Sequence, residues 1–208
     1  MIKRLGLTRF CTDERGQYQG TFLCNATWGL PARIQRWLSD EGRHKGRLPE
    51  AISRLSAFVG QRLAEAGHEG PAGIDMMICQ SPHTPDKLTL KPIVEINPRI
   101  TMGHIGLSLH QCCAKGSVGF WRLLSLRELA RKGSESAADF AAAAVERHPL
   151  ELEQSARGTH WKRGVLFTND PERATQVLSL AVVGTSPQDV RAVFEDLGLS
   201  SPTLFAGP

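Results

Sequence analysis

The sequence predicts an α+β protein whose sheet is mainly antiparallel and flanked by helices. Strand-like runs come in adjacent pairs, one pair near the N-terminus and one between residues 70 and 97, and neighbouring runs joined by polar turns favour antiparallel pairing. Stretches with apolar residues at helical spacing surround these pairs. The composition, 41% hydrophobic and 22% charged over 208 residues, is that of an ordinary globular chain, enough for one domain with a real core or for a large piece of a bigger protein.

In chain order, "RLGLTRFC" and "YQGTFLCN" are strand-like runs around the polar turn "TDERGQ", which reads as a β-hairpin. After Pro31, "ARIQRWLSDEG" suits a short helix. From Pro49 to Gly67, Ile52, Leu55, Phe58, Val59 and Leu63 repeat with helical spacing, Pro49 suits the first turn and Gly67 the end. "GPAGIDMMICQ" opens a strand, "SPHTPDK" is a polar turn region, and "LTLKPIVEIN" is a second strand, so the two form an antiparallel pair. Helices are expected over Ile105–Lys115, over Trp121–Arg131 and through the alanine-rich "ESAADFAAAAVERH", which Pro149 closes. "RGVLFTND" and "QVLSLAVVGT" read as late strands, and "SPQDVRAVFEDLGL" as a terminal helix capped by Ser186, with Pro187 in its first turn and Gly198 near its stop. With no internal repeat and no long linker, residues 1–208 read as one unit.

Several function classes lose support on these properties. The net charge of +4 is modest and spread along the chain, and the densest basic run, "GRHKGR" at 42–47, lies among glycines as a solvated loop would. Trp28, Trp37, Trp121 and Trp161 are dispersed rather than interleaved with a basic strip, so nucleic acid is not an expected partner. Cys11, Cys24, Cys79, Cys112 and Cys113 form no C-x-x-C pair and no zinc spacing, and the simplest reading is reduced thiols in the cytoplasm. No apolar run reaches the roughly 20 residues that cross a bilayer, and "MIKRLGLTRF" lacks the apolar centre of a signal peptide, so no membrane partner is expected.

The informative stretch is "KPIVEINPRITMGH". Alternation across a strand puts Ile93, Glu95, Asn97 and Arg99 on one face and Val94 and Ile96 on the other. On the preceding strand Asp75 shares a face with Met77 and Cys79, and antiparallel pairing lets Asp75 face the same side as Glu95. Two carboxylates and an amide so close would repel or go unsatisfied alone, whereas a hard divalent cation uses all three as oxygen ligands. Magnesium keeps several waters and completes its shell with phosphate oxygens, and an adjacent arginine neutralises phosphoryl charge, so the pattern points to a nucleoside triphosphate. The same residues also fit a plain surface arrangement: Glu95 paired with Arg99 on an edge strand, Asn97-Pro98 starting a turn and Asp75 capping a bend.

"GPAGIDMMI" followed by "KPIVEINPRITMG" resembles the C-terminal lobe of the ATP-grasp superfamily, whose members present an acidic residue on one strand and Glu-x-Asn-x-x or Glu-x-Asn-x-Arg on the next. The resemblance covers residues 70–106 directly. It implies an ATP-grasp-like C-terminal subdomain and an ATP-dependent ligase: ATP phosphorylates a small-molecule carboxylate, and an amine or similar nucleophile attacks the acyl-phosphate. Carried onto this chain, it makes Asp75, Glu95 and Asn97 the Mg2+ ligands and Glu95, Asn97 and Arg99 the ATP-binding group, with Arg99 the catalytic residue that stabilises the phosphoryl group or the acyl-phosphate. Arg9 is a further substrate-facing position, or an exposed strand residue. His104 reads as a turn residue beside the site, and neither a Ser-His-Asp nor a Cys-His arrangement stands out.

The superfamily also implies an upstream lobe with a phosphate-binding lysine, a Gly-rich loop and the adenine-contacting hinge. Only Lys3 precedes the first hairpin. The expectation is therefore a ligase whose other lobe comes from an upstream segment or from a second chain. The alternative is a non-catalytic, truncated or degenerate module of the same fold that binds nucleotide or docks a partner.

Overall fold

The computed structural model describes residues 2–39, 47–80, 87–133, 136–156 and 158–200. The elements run β1 Arg9–Thr12, β2 Tyr18–Leu23, α1 Ala32–Ser39, α2 Arg47–Glu65, β3 Gly73–Gln80, β4 Leu88–Asn97, α3 Met102–Gln111, β5 Val118–Ser125, α4 Leu126–Arg131, α5 Ala137–Arg147, β6 Glu151–Ser155, β7 Gly158–Phe167, β8 Val177–Gly184 and α6 Pro187–Asp196. They fall into two compact units. One is built on Leu30–Ile105 and takes in the chain up to Gly6; the other is built on Leu7–Gly29 and the residues from Gly106 onward. All named strand pairs are antiparallel. Among the described residues no helix is long and apolar enough to cross a membrane.

The second unit holds a six-stranded sheet in the order β1-β2-β5-β8-β7-β6. The hairpin expected from "RLGLTRFC" and "YQGTFLCN" is β1 on β2, closed where Asp13 Oδ1 accepts from the Gln17 N–H at 2.8 Å. Phe22, Phe120, Leu124, Leu178, Leu180, Val182 and Phe194 form the centre of the core. Phe120 meets Phe22 and Phe194 edge-on, with ring centroids 4.9 and 5.8 Å apart, an arrangement that adds to plain burial.

One expected helix is corrected here. Residues 118–125, including Trp121, form the central strand β5 between β2 and β8, and only Leu126–Arg131 is helical. The reason is burial on both sides. A strand covered on both faces carries no period-2 alternation, so "VGFWRLL" looks as apolar as a helix core. Ser125 marks the change, its side chain capping α4 by accepting from the Glu128 N–H at 3.1 Å. The expected cap of α6 is in place: Ser186 Oγ accepts from the Asp189 N–H at 3.1 Å, Pro187 opens the helix, and Gly198 follows it at φ +64.

The first unit holds α1, α2 and the two-stranded sheet β3–β4. α2 buries Ile52 and Val59 on one stripe, and Phe58 is left 56% exposed with the Arg62 guanidinium 5.4 Å over its ring. Gly67 ends the helix at φ +80, where the His68 N–H reaches back to the Leu63 carbonyl at 2.8 Å, the left-handed stop that glycine adopts without strain. α3 begins at Met102, three positions ahead of the expected Ile105, and the division between the units falls within it, after Ile105. Most of the expected basic loop at 42–47 and of the turn region after Gln80 lies outside the described residues.

Candidate functional site

The polar stripe lies wholly in the first unit, on β3, β4 and the segment that follows β4. Pairing places Gly73 opposite Asn97, Ile74 opposite Ile96 and Asp75 opposite Glu95. The two carboxylates are therefore cross-strand neighbours on one face, where like charges oppose each other. Beyond Asp75 the register jumps: Met77 pairs with Lys91, so β4 carries extra residues around Pro92. A bulge is the expected answer to a residue without an N–H inside a strand.

Asn97 is the pivot of the group and the only one of the four that is buried, at 7% exposure. Its Nδ2 donates to Asp75 Oδ2 at 3.5 Å, and its Oδ1 accepts from Arg99 Nη2 at 3.0 Å. Arg99 also donates to the Ile100 carbonyl at 3.4 Å. The chain Asp75–Asn97–Arg99 thus links the two strands through one side-chain amide. Among the described ion pairs none joins Glu95 to Arg99, so the simple surface pair weighed from the sequence does not form.

The Asp75 carboxyl is held above its ordinary value. Burial is the larger cause, the Glu95 charge across the strand pair adds to it, and Arg99 acts in the opposite direction. An ionised Asp75 is thus under-compensated by its protein neighbours, which is the condition a bound cation relieves.

Two further residues flank this group: Thr101, not singled out from the sequence, and His104, expected as a turn residue beside the site and found in the first turn of α3. The Thr101 N–H donates to His104 Nδ1 at 3.1 Å, and the Thr101 hydroxyl lies 2.9 Å from the same atom. His104 therefore reaches back to the residue that opens α3, as Glu or Gln does in a capping box, and the spacing Thr-x-x-His is the signal that would have found it. With Nδ1 accepting a backbone N–H, the ring proton sits on Nε2. Gly73 supports the same corner: a Cβ there would lie 2.8 Å from Thr101 Cγ2.

Arg9 has its described contacts within the second unit. Its guanidinium lies 4.7 Å over Phe22 and donates to the Trp28 carbonyl at 2.6 Å and to Cys24 Sγ at 3.5 Å. All five cysteines are free thiols.

No family model, curated protein or solved structure matches this chain. Among the described residues no group of three or more His, Cys, Asp or Glu side chains is placed to hold a metal ion. The Asp75, Glu95 and Asn97 set offers two carboxylates and one amide oxygen. That set suits magnesium, which takes one or two carboxylates and leaves the rest of its octahedron to water and phosphate, and it is too sparse for a closed calcium cage.

Proposed function

We propose that this chain is an ATP-grasp ligase or part of one, using Mg2+ and ATP to activate a carboxylate for attack by an amine or similar nucleophile. The observation that carries the reading is the direct opposition of Asp75 and Glu95 across β3 and β4, with Asn97 bonded to Asp75 and Arg99 bonded to Asn97. Asp75, Glu95 and Asn97 would hold the cation. Mg2+, when bound, supplies charge neutralisation for the phosphate oxygens. Glu95 is exposed and open to an incoming cation, whereas Asp75 and Asn97 anchor it from the less accessible side. Arg99, exposed beyond the strand end, would hold a phosphoryl oxygen or the acyl-phosphate. Phosphoryl transfer needs positioning and charge neutralisation more than a protein nucleophile, and this group offers both. The adenine contacts and a phosphate-binding lysine would come from another segment or a second chain, and the cytoplasm, where ATP is abundant, is the matching location.

Calorimetric titration of the full chain with Mg-ATP tests this, beside Glu95→Ala and an EDTA control. Magnesium-dependent binding that Glu95→Ala abolishes supports the site. Absence of binding in the wild type shows that the chain alone is no ATP-grasp unit. It would leave the second reading, an interaction module of the same fold, which the exposure of Met77, Val94 and Ile100 around the strand pair favours.

A further inference from the structure

Two hydrogen bonds fix which way the Asn97 amide points. Arg99 can only donate, and its Nη2 reaches Asn97 Oδ1; an ionised carboxylate can only accept, and Asp75 Oδ2 takes Asn97 Nδ2. Turning the amide over would set donor against donor at Arg99 and acceptor against acceptor at Asp75. The orientation is thus dictated by the neighbours, and at 7% exposure the amide has little water to turn to instead.

A divalent cation beside Asp75 and Glu95 needs the opposite orientation. It binds the amide oxygen and repels the NH2 group, yet the NH2 group is the part that faces Asp75. Once Oδ1 turns toward the cation, Nδ2 meets the Arg99 guanidinium, and two donors cannot share that contact. Arg99 is exposed; among the described residues its other hydrogen bond is a long one to the Ile100 carbonyl, and the Asp75 charge attracts it without a direct bond, so it is the partner able to move.

We propose that Asn97 is a two-position switch, in which ligation of a cation by Asp75, Glu95 and Asn97 excludes the Asn97–Arg99 hydrogen bond and releases Arg99 to hold a phosphate oxygen. The switch rests on the metal-nucleotide reading above and adds its order: cation first, polyphosphate second. It couples the two ligands through the protein, in addition to the direct contact between cation and phosphate, and by linkage the anion held by Arg99 favours the cation in return. Arg99 kept on Asn97 would be a guard against polyphosphate arriving without its metal.

The test is a titration of the full chain with Mg2+ alone, followed by calorimetry and by the NMR signals of the arginine Nε–H and asparagine NH2 groups. Arg99→Lys assigns the Arg99 signal by its disappearance. The expected result is that the Arg99 and Asn97 signals move together with the same midpoint as the calorimetric heat, the Arg99 signal sharpening as the guanidinium gains mobility. Asn97→Ala should weaken Mg2+ binding at least about tenfold and leave the Arg99 signal indifferent to Mg2+. Mg2+ binding with an unmoved Arg99 signal in the wild type overturns the switch and leaves the metal site standing. No Mg2+ binding by either readout overturns the metal-nucleotide reading, and the switch with it.

Discussion

Asp75→Asn separates a ligand site from a structural hydrogen-bond network, because the two assign it opposite signs. Asn keeps an oxygen that can accept from Asn97 Nδ2, so the bond between strands survives the change. What disappears is the charge opposed to Glu95 and the cost of burying it. Like charges directly opposite across a strand pair destabilise by about 0.2–1 kcal/mol, and the partial exposure of Asp75 argues against a larger figure. Without divalent cation, Asp75→Asn should therefore stabilise β3–β4, slowing amide exchange of that pair by about 1.4- to 5-fold at pH 7. The pH dependence follows from the raised carboxyl value. The folded chain keeps the Asp75 proton to higher pH than the unfolded chain does, so the contribution of this group is most favourable below the ordinary aspartate value of about 3.9. It declines as the pH rises from there through the raised folded value. The variant should lack that decline. Exchange that is faster in Asp75→Asn than in the wild type at pH 7 would refute the reasoning, since it would make the ionised carboxylate a stabilising partner rather than an under-compensated ligand.

Elsewhere the structure makes further specific demands. Arg122 is 5% exposed, with Nη2 on Glu128 Oε1 at 2.8 Å and Nη1 on the Ser200 carbonyl at 2.6 Å; Glu128→Ala should cost about 3 kcal/mol by stranding a buried charge, while Arg122→Met with Glu128→Leu should come close to wild type. Denaturation followed by tryptophan fluorescence measures this, since Trp28, Trp121 and Trp161 all lie in the second unit. Burial pushes the Cys113 thiol up to about 12, so iodoacetamide at pH 8 should leave Cys113 unlabelled in the folded chain and modify it only after unfolding, as read by peptide mass.

The parts of the molecule that the sequence made legible are those where local chemistry and tertiary structure ask for the same thing. Ser186 and Pro187 announce α6 because a cap is satisfied within one turn. That Asp75 shares a face with Glu95 followed from strand order and alternation, since between Gly73 and Asp75 the pairing is regular; that the two are direct cross-strand partners is set by the register. Beyond Asp75 that logic stops working: Pro92 shifts the register, and Lys91 comes to face Met77, a pairing that no alternation count predicts. β5 was misread because burial on both faces erases the period that distinguishes strand from helix. β6 was missed for the opposite reason, since "ELEQS" is mostly exposed and has no apolar alternation at all. The direction of the Asn97 amide depends on two partners 22 and two residues away, and only coordinates bring them together.

The strand pair that carries the candidate site is thinly supported for the task proposed for it. Among the described residues of the first unit the buried apolar side chains are Ile52 and Val59, both on α2, whereas Met77, Val94 and Ile100 are 50%, 43% and 63% exposed. A two-stranded sheet is marginal by itself, and the polar group is held by two hydrogen bonds centred on Asn97. A cation bound to Asp75 on β3 and to Glu95 and Asn97 on β4 would cross-link the strands, so its binding energy and the local stability become one quantity. If opening the pair destroys the site, Mg2+ at ten times its dissociation constant should raise protection of the β3–β4 amides about 11-fold, while β5 and β8 in the second unit keep their rates. Glu95→Ala should abolish the increase. Mg2+ binding that leaves β3–β4 exchange unchanged would place the cation somewhere other than between these strands, because a ligand that bridges both cannot bind the closed pair without favouring it.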